Sequence, residues 1–188
     1  MSGNVSSYRT KKDAALHPFL FLVVFSFVIS CSGAAEIRGG GVEIIRDVPF
    51  YPQEAYQCGP SSLAGVMNYL GADATPEEIA EEIYSKSAGG TLDMDMVLYA
   101  EKKGLRASLY EGSFEDIRDK VMSQQPLIVM VDYGFWVYQQ NHFMVVTGFD
   151  KNGVIVNSGR EQHKFLPINN FLRSWERTKF RTLLILPQ

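Results

Sequence analysis

Two cysteines and three histidines are the residues of this 188-residue chain whose chemistry can be sorted by setting. Cys58 lies in QEAYQCGPSSL (residues 53–63), directly before Gly-Pro and a run with Leu63, Val66, Met67 and Leu70 apolar. That spacing marks one face of a helix, with Pro60 suited to its first turn and Gly71 to its end. A thiol at a helix start meets unpaired N–H groups and the positive end of the dipole, which favour the nucleophilic thiolate. The sequence therefore predicts a depressed pKa for Cys58 and, near neutral pH, alkylation faster than that of a free thiol. The opposing reading is a buried cysteine acting as a small hydrophobe. It fits poorly with Gln57, Gly59, Ser61 and Ser62 as neighbours.

Such a nucleophile needs a base. His17 lies in an N-terminal segment expected to be removed, and His163 stands in the charged stretch REQHKF and reads as a surface residue. His142 opens HFMVVTG (residues 142–148), at the mouth of a core strand, and is the candidate base for Cys58. No Cys or His pair has the spacing of a metal site, so neither metal nor cofactor is expected. A formal net charge of −3 gives no reason to expect nucleic acid. The chain has no G-x-x-x-x-G-K-[ST] loop, so ATP is not expected either.

The elements that must position these groups change character along the chain. Helical patterns cover residues 60–70, 75–84, 92–103 and 113–124, with Thr75 and Ser113 as N-caps. Short β-branched runs follow: RASLYEG, PLIVMVDY, HFMVVTGFD, GVIVNSG and TLLILP. An Asn-Gly hairpin signal joins the third to the fourth. A late helix near residues 168–177 carries Phe171 and Trp175, both read as core. The expected class is α+β, an N-terminal helical half packed on an antiparallel sheet.

Gln-(x4)-Cys-Gly-Pro-x-x-Leu, Asn-His-Phe-x-Val-Val-Thr-Gly-Phe-Asp and Gly-Val-x-Val-Asn together resemble the bacteriocin-leader, or double-glycine, cysteine peptidases. The resemblance spans most of residues 47–158 and implies a papain-like fold. It also implies Cys58 as nucleophile, His142 as base and Gln53 as oxyanion donor, although the glutamine-to-cysteine gap is about one residue shorter here; Gln57 is the fallback. A neutral amide beside the Cys58 N–H would stabilise charge growing on a carbonyl oxygen. The family carries Asp as the third member, in an Asn-Asp-Pro ending. Here the residues are Asn157-Ser158-Gly159, with Ser158 where the Asp is expected. An amide oxygen accepts well from an imidazole N–H, so Asn157 is the expected orienting residue. Adjacent strand residues face opposite ways, so only one of the two can serve.

Before this domain, Arg9, Lys11 and Lys12 precede the apolar run Phe19–Ile29, and Val28-Ile29-Ser30-Cys31 resembles a bacterial lipoprotein box. The run has the length of a signal-peptide core. The expected organisation is a signal peptide over 1–30, lipidation at Cys31, a tether over 31–45 and a peptidase-like domain over 46–188. An uncleaved membrane anchor is the alternative. The expected function is a cysteine peptidase acting on a peptide or protein substrate, exported and held by lipid on the periplasmic face of the inner or outer membrane, or at the cell surface. Thiol acyl transfer or cell-wall amide cleavage by the same residues is a second enzymatic reading. A non-catalytic peptide-binding lipoprotein is the alternative outside enzymes.

Overall fold

The computed structural model describes residues 41–53 and 57–188. The proposed signal peptide, His17, Cys31 and most of the tether lie outside the described residues. Five helices form where apolar spacing and caps agree: α1 (Cys58–Tyr69), α2 (Pro76–Ile83), α3 (Asp93–Lys102), α4 (Phe114–Met122) and α5 (Ile168–Glu176). The Thr75 hydroxyl accepts from the Glu78 N–H while the Glu78 carboxylate accepts from the Thr75 N–H, a reciprocal cap for α2. The Ser113 hydroxyl accepts from the Asp116 N–H at 3.0 Å and starts α4.

Nine strands complete the described fold: β1 (Glu43–Ile44), β2 (Tyr84–Ser85), β3 (Gly90–Thr91), β4 (Leu105–Glu111), β5 (Leu127–Asp132), β6 (Asn141–Phe149), β7 (Gly153–Ser158), β8 (Glu161–Pro167) and β9 (Arg181–Pro187). β2 and β3 pair with each other. The rest form one antiparallel sheet in the order β4-β9-β5-β6-β7-β8, with β1 added beside β6. Helix α1 packs against β6, and its residues 59–67 are buried. The α+β expectation therefore holds, with the helical half against the sheet.

Several boundaries differ from the sequence reading. α1 begins at Cys58 itself, two residues before the proline. Residues 43 and 44, assigned to the tether by sequence, pair with Phe149 and Gly148, and Ile45 is buried in the core. β8 was hidden because its charged residues give no alternating pattern. As an edge strand it packs one flank only, so burial does not enforce period two along it. His163, read as a surface residue, is half-buried within β8, with φ of 54° and an Nε2 that is buried and unpartnered.

The late helix behaves as its sequence implies. Trp175 is fully buried, its ring tilted on Phe171 at 5.1 Å and edge-on to Phe180 at 5.3 Å. Its indole N–H donates to the Arg181 carbonyl at 3.1 Å, which satisfies its one polar atom. Trp175→Ala should therefore destabilise the fold by roughly 3–5 kcal/mol, read as a lower midpoint in urea unfolding.

Candidate active site

Cys58 occupies the first position of α1, and the preceding Gln57 offers no side-chain cap. The backbone N–H groups of Phe143, Gly59 and Cys58 itself lie around the sulfur and favour its thiolate form. The Phe143 contact brings the start of α1 against β6 one residue beyond His142. Cys58 and His142 then line one cleft of about 770 Å³, together with Gln53, the residues 88–93 and the residues 138–141.

The thiol and the imidazole are both shifted toward their neutral forms. Burial pushes the Cys58 thiol above its ordinary value, and the three N–H contacts reduce that shift without reversing it. The sequence expectation of a depressed thiol pKa is thus corrected: desolvation outweighs the helix terminus. Burial, reinforced by the Lys164 ammonium, pushes His142 down to about 4. Both groups of the cleft, a thiol and an imidazole, therefore rest in their neutral forms.

His142 is oriented by Ser158. Its Nε2 lies 2.9 Å from the Ser158 hydroxyl oxygen. With the proton on Nε2 donated to Ser158, the Nδ1 lone pair is left available as a base. Asn157, the expected partner, points away: its Oδ1 accepts from the His163 N–H at 3.0 Å, and its Nδ2 is buried without a partner. The reason is register. Phe149 pairs with Val154 and Gly148 with Ile155. Unbroken, that count would set Asn157 opposite Val146, on the face of His142. The pairing instead slips at Thr147, so Val146 meets Val156 and Val145 meets Asn157. One extra residue in β6 flips the parity, and Ser158 takes the face that holds His142.

Gln53 joins the two halves of the cleft. Its backbone N–H donates to the Gly159 carbonyl at 2.8 Å, and its side-chain Oε1 accepts from the Gly159 N–H at 3.0 Å. That double tie fastens the segment before α1 to the turn after Ser158. It also leaves the Gln53 Nε2 as a donor, 3.4 Å from the Ser62 hydroxyl. Gln57, the fallback, does not line the cleft.

Two residues at the site had no local signal in the sequence. Tyr133 lies tilted on the His142 ring, centroids 5.6 Å apart, and its phenol is hydrogen-bonded with Ser158. Lys164 on β8 sets a positive charge near both rings and pairs with Glu161. Only the pairing of β5, β6, β7 and β8 brings these together. Among the described residues, no group of three or more His, Cys, Asp or Glu is placed to hold a metal ion.

The model of the Peptidase_C39 like family matches residues 45–183, which include every residue of this cleft. The chain belongs to that family. Among solved structures, this C39-like fold superimposes on a chain described as a C39-like peptidase from Bacillus anthracis with a TM-score of 0.68 and 17% identity, covering 79% of this chain and 98% of the other. It also matches the peptidase domain of Streptococcus ComA, a bi-functional ABC transporter, with a TM-score of 0.62 and 23% identity over 75% and 99% of the two chains. A double glycine motif protease from an AMS/PCAT transporter, solved with its leader peptide, gives a TM-score of 0.61 and 24% identity over 77% and 94%. These likenesses establish the papain-like peptidase fold. A curated relative from Methanothermobacter thermautotrophicus, an uncharacterized protein, is 32% identical over 100 residues, 53% of this chain and 63% of that relative's length.

The two pKa directions lead to a measurable pattern. Iodoacetamide should label Cys58 with a pH midpoint above that of N-acetylcysteine, and the His142 ring should titrate at about 4 by NMR. Because unfolded His142 binds its proton more readily than folded His142, stability should fall as pH drops from the ordinary histidine value of about 6.5 through 4. Thermal unfolding across that window checks the sign, and His142→Gln should remove part of the fall.

Proposed function

We propose that this C39-like chain is a cysteine peptidase acting through Cys58 and His142, with Ser158 in the orienting position. The carrying observation is that Cys58, His142 and Gln53 line one cleft while the His142 Nε2 is engaged by Ser158. In the proposed reaction, the thiol proton passes to His142 Nδ1 as the sulfur forms a bond to the peptide carbonyl carbon. The carbonyl π electrons move to oxygen, where the Gln53 Nε2 and the Cys58 N–H are the candidate donors. Collapse expels the amine, which takes the proton from His142. Water, deprotonated by the same imidazole, then attacks the thioester, and the second collapse returns the proton to sulfur.

A serine hydroxyl in place of a carboxylate holds the ring and accepts an Nε2 proton, but it can also donate, so it does not select the tautomer as a carboxylate does, and it adds no negative charge to hold an imidazolium. The pair therefore starts neutral, and proton transfer accompanies attack. The same observation favours one second reading, a peptide-binding module of this fold with little turnover. A substrate of peptide character fits both, since a related protease has been solved with its leader peptide.

Cleavage of a peptide library should be abolished by Cys58→Ala. Ser158→Ala should lower kcat/KM by about tenfold, the worth of one orienting hydrogen bond. Ser158→Asp should raise the His142 pKa, lower that of the thiol and move the acid limb of kcat/KM upward from near pH 4. Peptide binding by the wild type without turnover, together with turnover gained by Ser158→Asp, would favour the binding module.

We further propose export and lipid attachment, supported by Arg9, Lys11 and Lys12 before the apolar run Phe19–Ile29 and by Val28-Ile29-Ser30-Cys31. The domain would then work on the periplasmic face of a membrane or at the cell surface. Metabolic labelling with an alkyne fatty acid should mark the wild type and not Cys31→Ser. Equal labelling of both would refute lipidation there.

A further inference from the structure

The connection from β5 to β6 ends in four consecutive large apolar side chains held in water. Phe135 is 85% exposed, Trp136 83%, Val137 86% and Tyr138 72%. No residue from 133 to 141 carries a formal charge. An apolar tip of this kind, standing alone in solvent, points to a partner.

The tip is built, with a buried carboxylate at its base. Asp132 is 2% exposed, and its Oδ1 accepts from the N–H groups of Gly134 and Gln140 at 2.7 and 2.8 Å. Its Oδ2 pairs with the Arg177 guanidinium at 2.8 Å, and the same guanidinium reaches the Trp136 carbonyl at 3.4 Å. Gly134 admits no larger residue, because a Cβ there would lie 1.9 Å from the Tyr138 carbonyl oxygen. Trp136 is held at φ of 56°, a conformation that costs roughly 1–2 kcal/mol for a residue with a Cβ. The fold thus spends stability on displaying these side chains outward.

Tyr138 borders the cleft, but Phe135, Trp136 and Val137 do not line it. They are left for something other than the bound peptide. We infer that this loop inserts into the headgroup region of a lipid bilayer and lays the mouth of the cleft against the membrane surface. Trp, Tyr and Phe are the residues that settle at that depth, and an uncharged tip whose base is the internally paired Asp132 and Arg177 suits it. The Arg177 guanidinium, about a third exposed, would lie near the lipid phosphates.

The inference deepens the proposed membrane attachment. The tether enters the sheet at Glu43, at the far end of β6 from the loop. Residues 32–42 could extend to about 36–40 Å, enough to run the length of a nine-residue strand, about 30 Å. One bilayer could therefore hold both the Cys31 lipid and the loop. Substrates would then be peptides presented at the membrane surface.

Trp136 is its own probe, since the other tryptophan, Trp175, is fully buried. The full-length protein is placed in vesicles of phosphatidylcholine and phosphatidylglycerol, and the spectrum of Trp136→Phe is subtracted. Trp136 emission should shift to the blue, lose access to acrylamide and be quenched by acyl-brominated lipid. Phe135→Asp with Val137→Asp should reverse all three while cleavage of a short soluble peptide stays unchanged. Trp136 remaining open to acrylamide on vesicles would overturn the inference. So would shielding produced by added peptide without lipid, which would assign the tip to substrate. Shielding that grows with protein concentration without lipid would assign it to a second copy and overturn it equally. Cys31→Ser separates the two membrane proposals. If Trp136 still inserts when fatty-acid labelling is lost or was never present, the loop stands independently of the lipid.

Discussion

β6 is the strand on which the site depends, because β5, β7, β1 and α1 all pack against it. It carries His142 at its start and receives the thiol of Cys58 at the next backbone N–H. Its slip against β7 at Thr147 then decides which side chain can reach the imidazole. Thr147 is fully buried, and its hydroxyl donates to the Ile155 carbonyl at 3.3 Å, so the irregular position is satisfied from within. Gly148 follows because β1 crosses closely there: a Cβ would lie 2.5 Å from the Glu43 carbonyl oxygen. A bulge needs such local support, and here the hydroxyl and the missing Cβ provide it.

The electrostatic character of the site follows from that parity. Ser158 brings a neutral hydroxyl to His142. With Lys164 nearby and the ring largely buried, no carboxylate holds the imidazolium: Asp93, the acid that lines the cleft, pairs with Arg181 at 3.3 Å. Desolvation acts on the thiolate in the same direction. In the proposed reaction both effects penalise charge separation before a carbonyl arrives, which leaves more of the barrier to the candidate oxyanion donors and the accompanying proton transfer. The Gln53 side chain is held in place, because Gly159 clamps both its backbone and its amide oxygen.

The β5–β6 connection serves two sides of the molecule at once. Tyr133 leans onto His142 and touches Ser158, while three residues further on the chain turns its aromatic tip to solvent. Asp132 holds both parts: its carboxylate fixes the backbone that follows Tyr133, and Arg177 fixes that carboxylate from α5's end. A buried acid with two N–H donors and a guanidinium is well satisfied.

Local pattern was enough to read most helices and inner strands, and the proposal of Cys58 over Cys31 and His142 over His163 rests on the same kind of signal. Periodicity, caps and the polarity of near neighbours are properties of contiguous residues. The same holds for Phe171 and Trp175 as core. The edge strand β8 and the pairing of residues 43 and 44 were not legible, because each depends on a neighbour far along the chain and carries little alternation of its own. The choice between Asn157 and Ser158 was likewise beyond the sequence. Each has a side chain able to accept from an imidazole, and they differ only in which face of β7 they occupy. A one-residue slip between strands reverses that face, so only the assembled sheet could decide it. The thiol's environment was decided there as well: the helix terminus was visible in the sequence, but the burial that outweighs it comes from β6 and the cleft walls packing around Cys58.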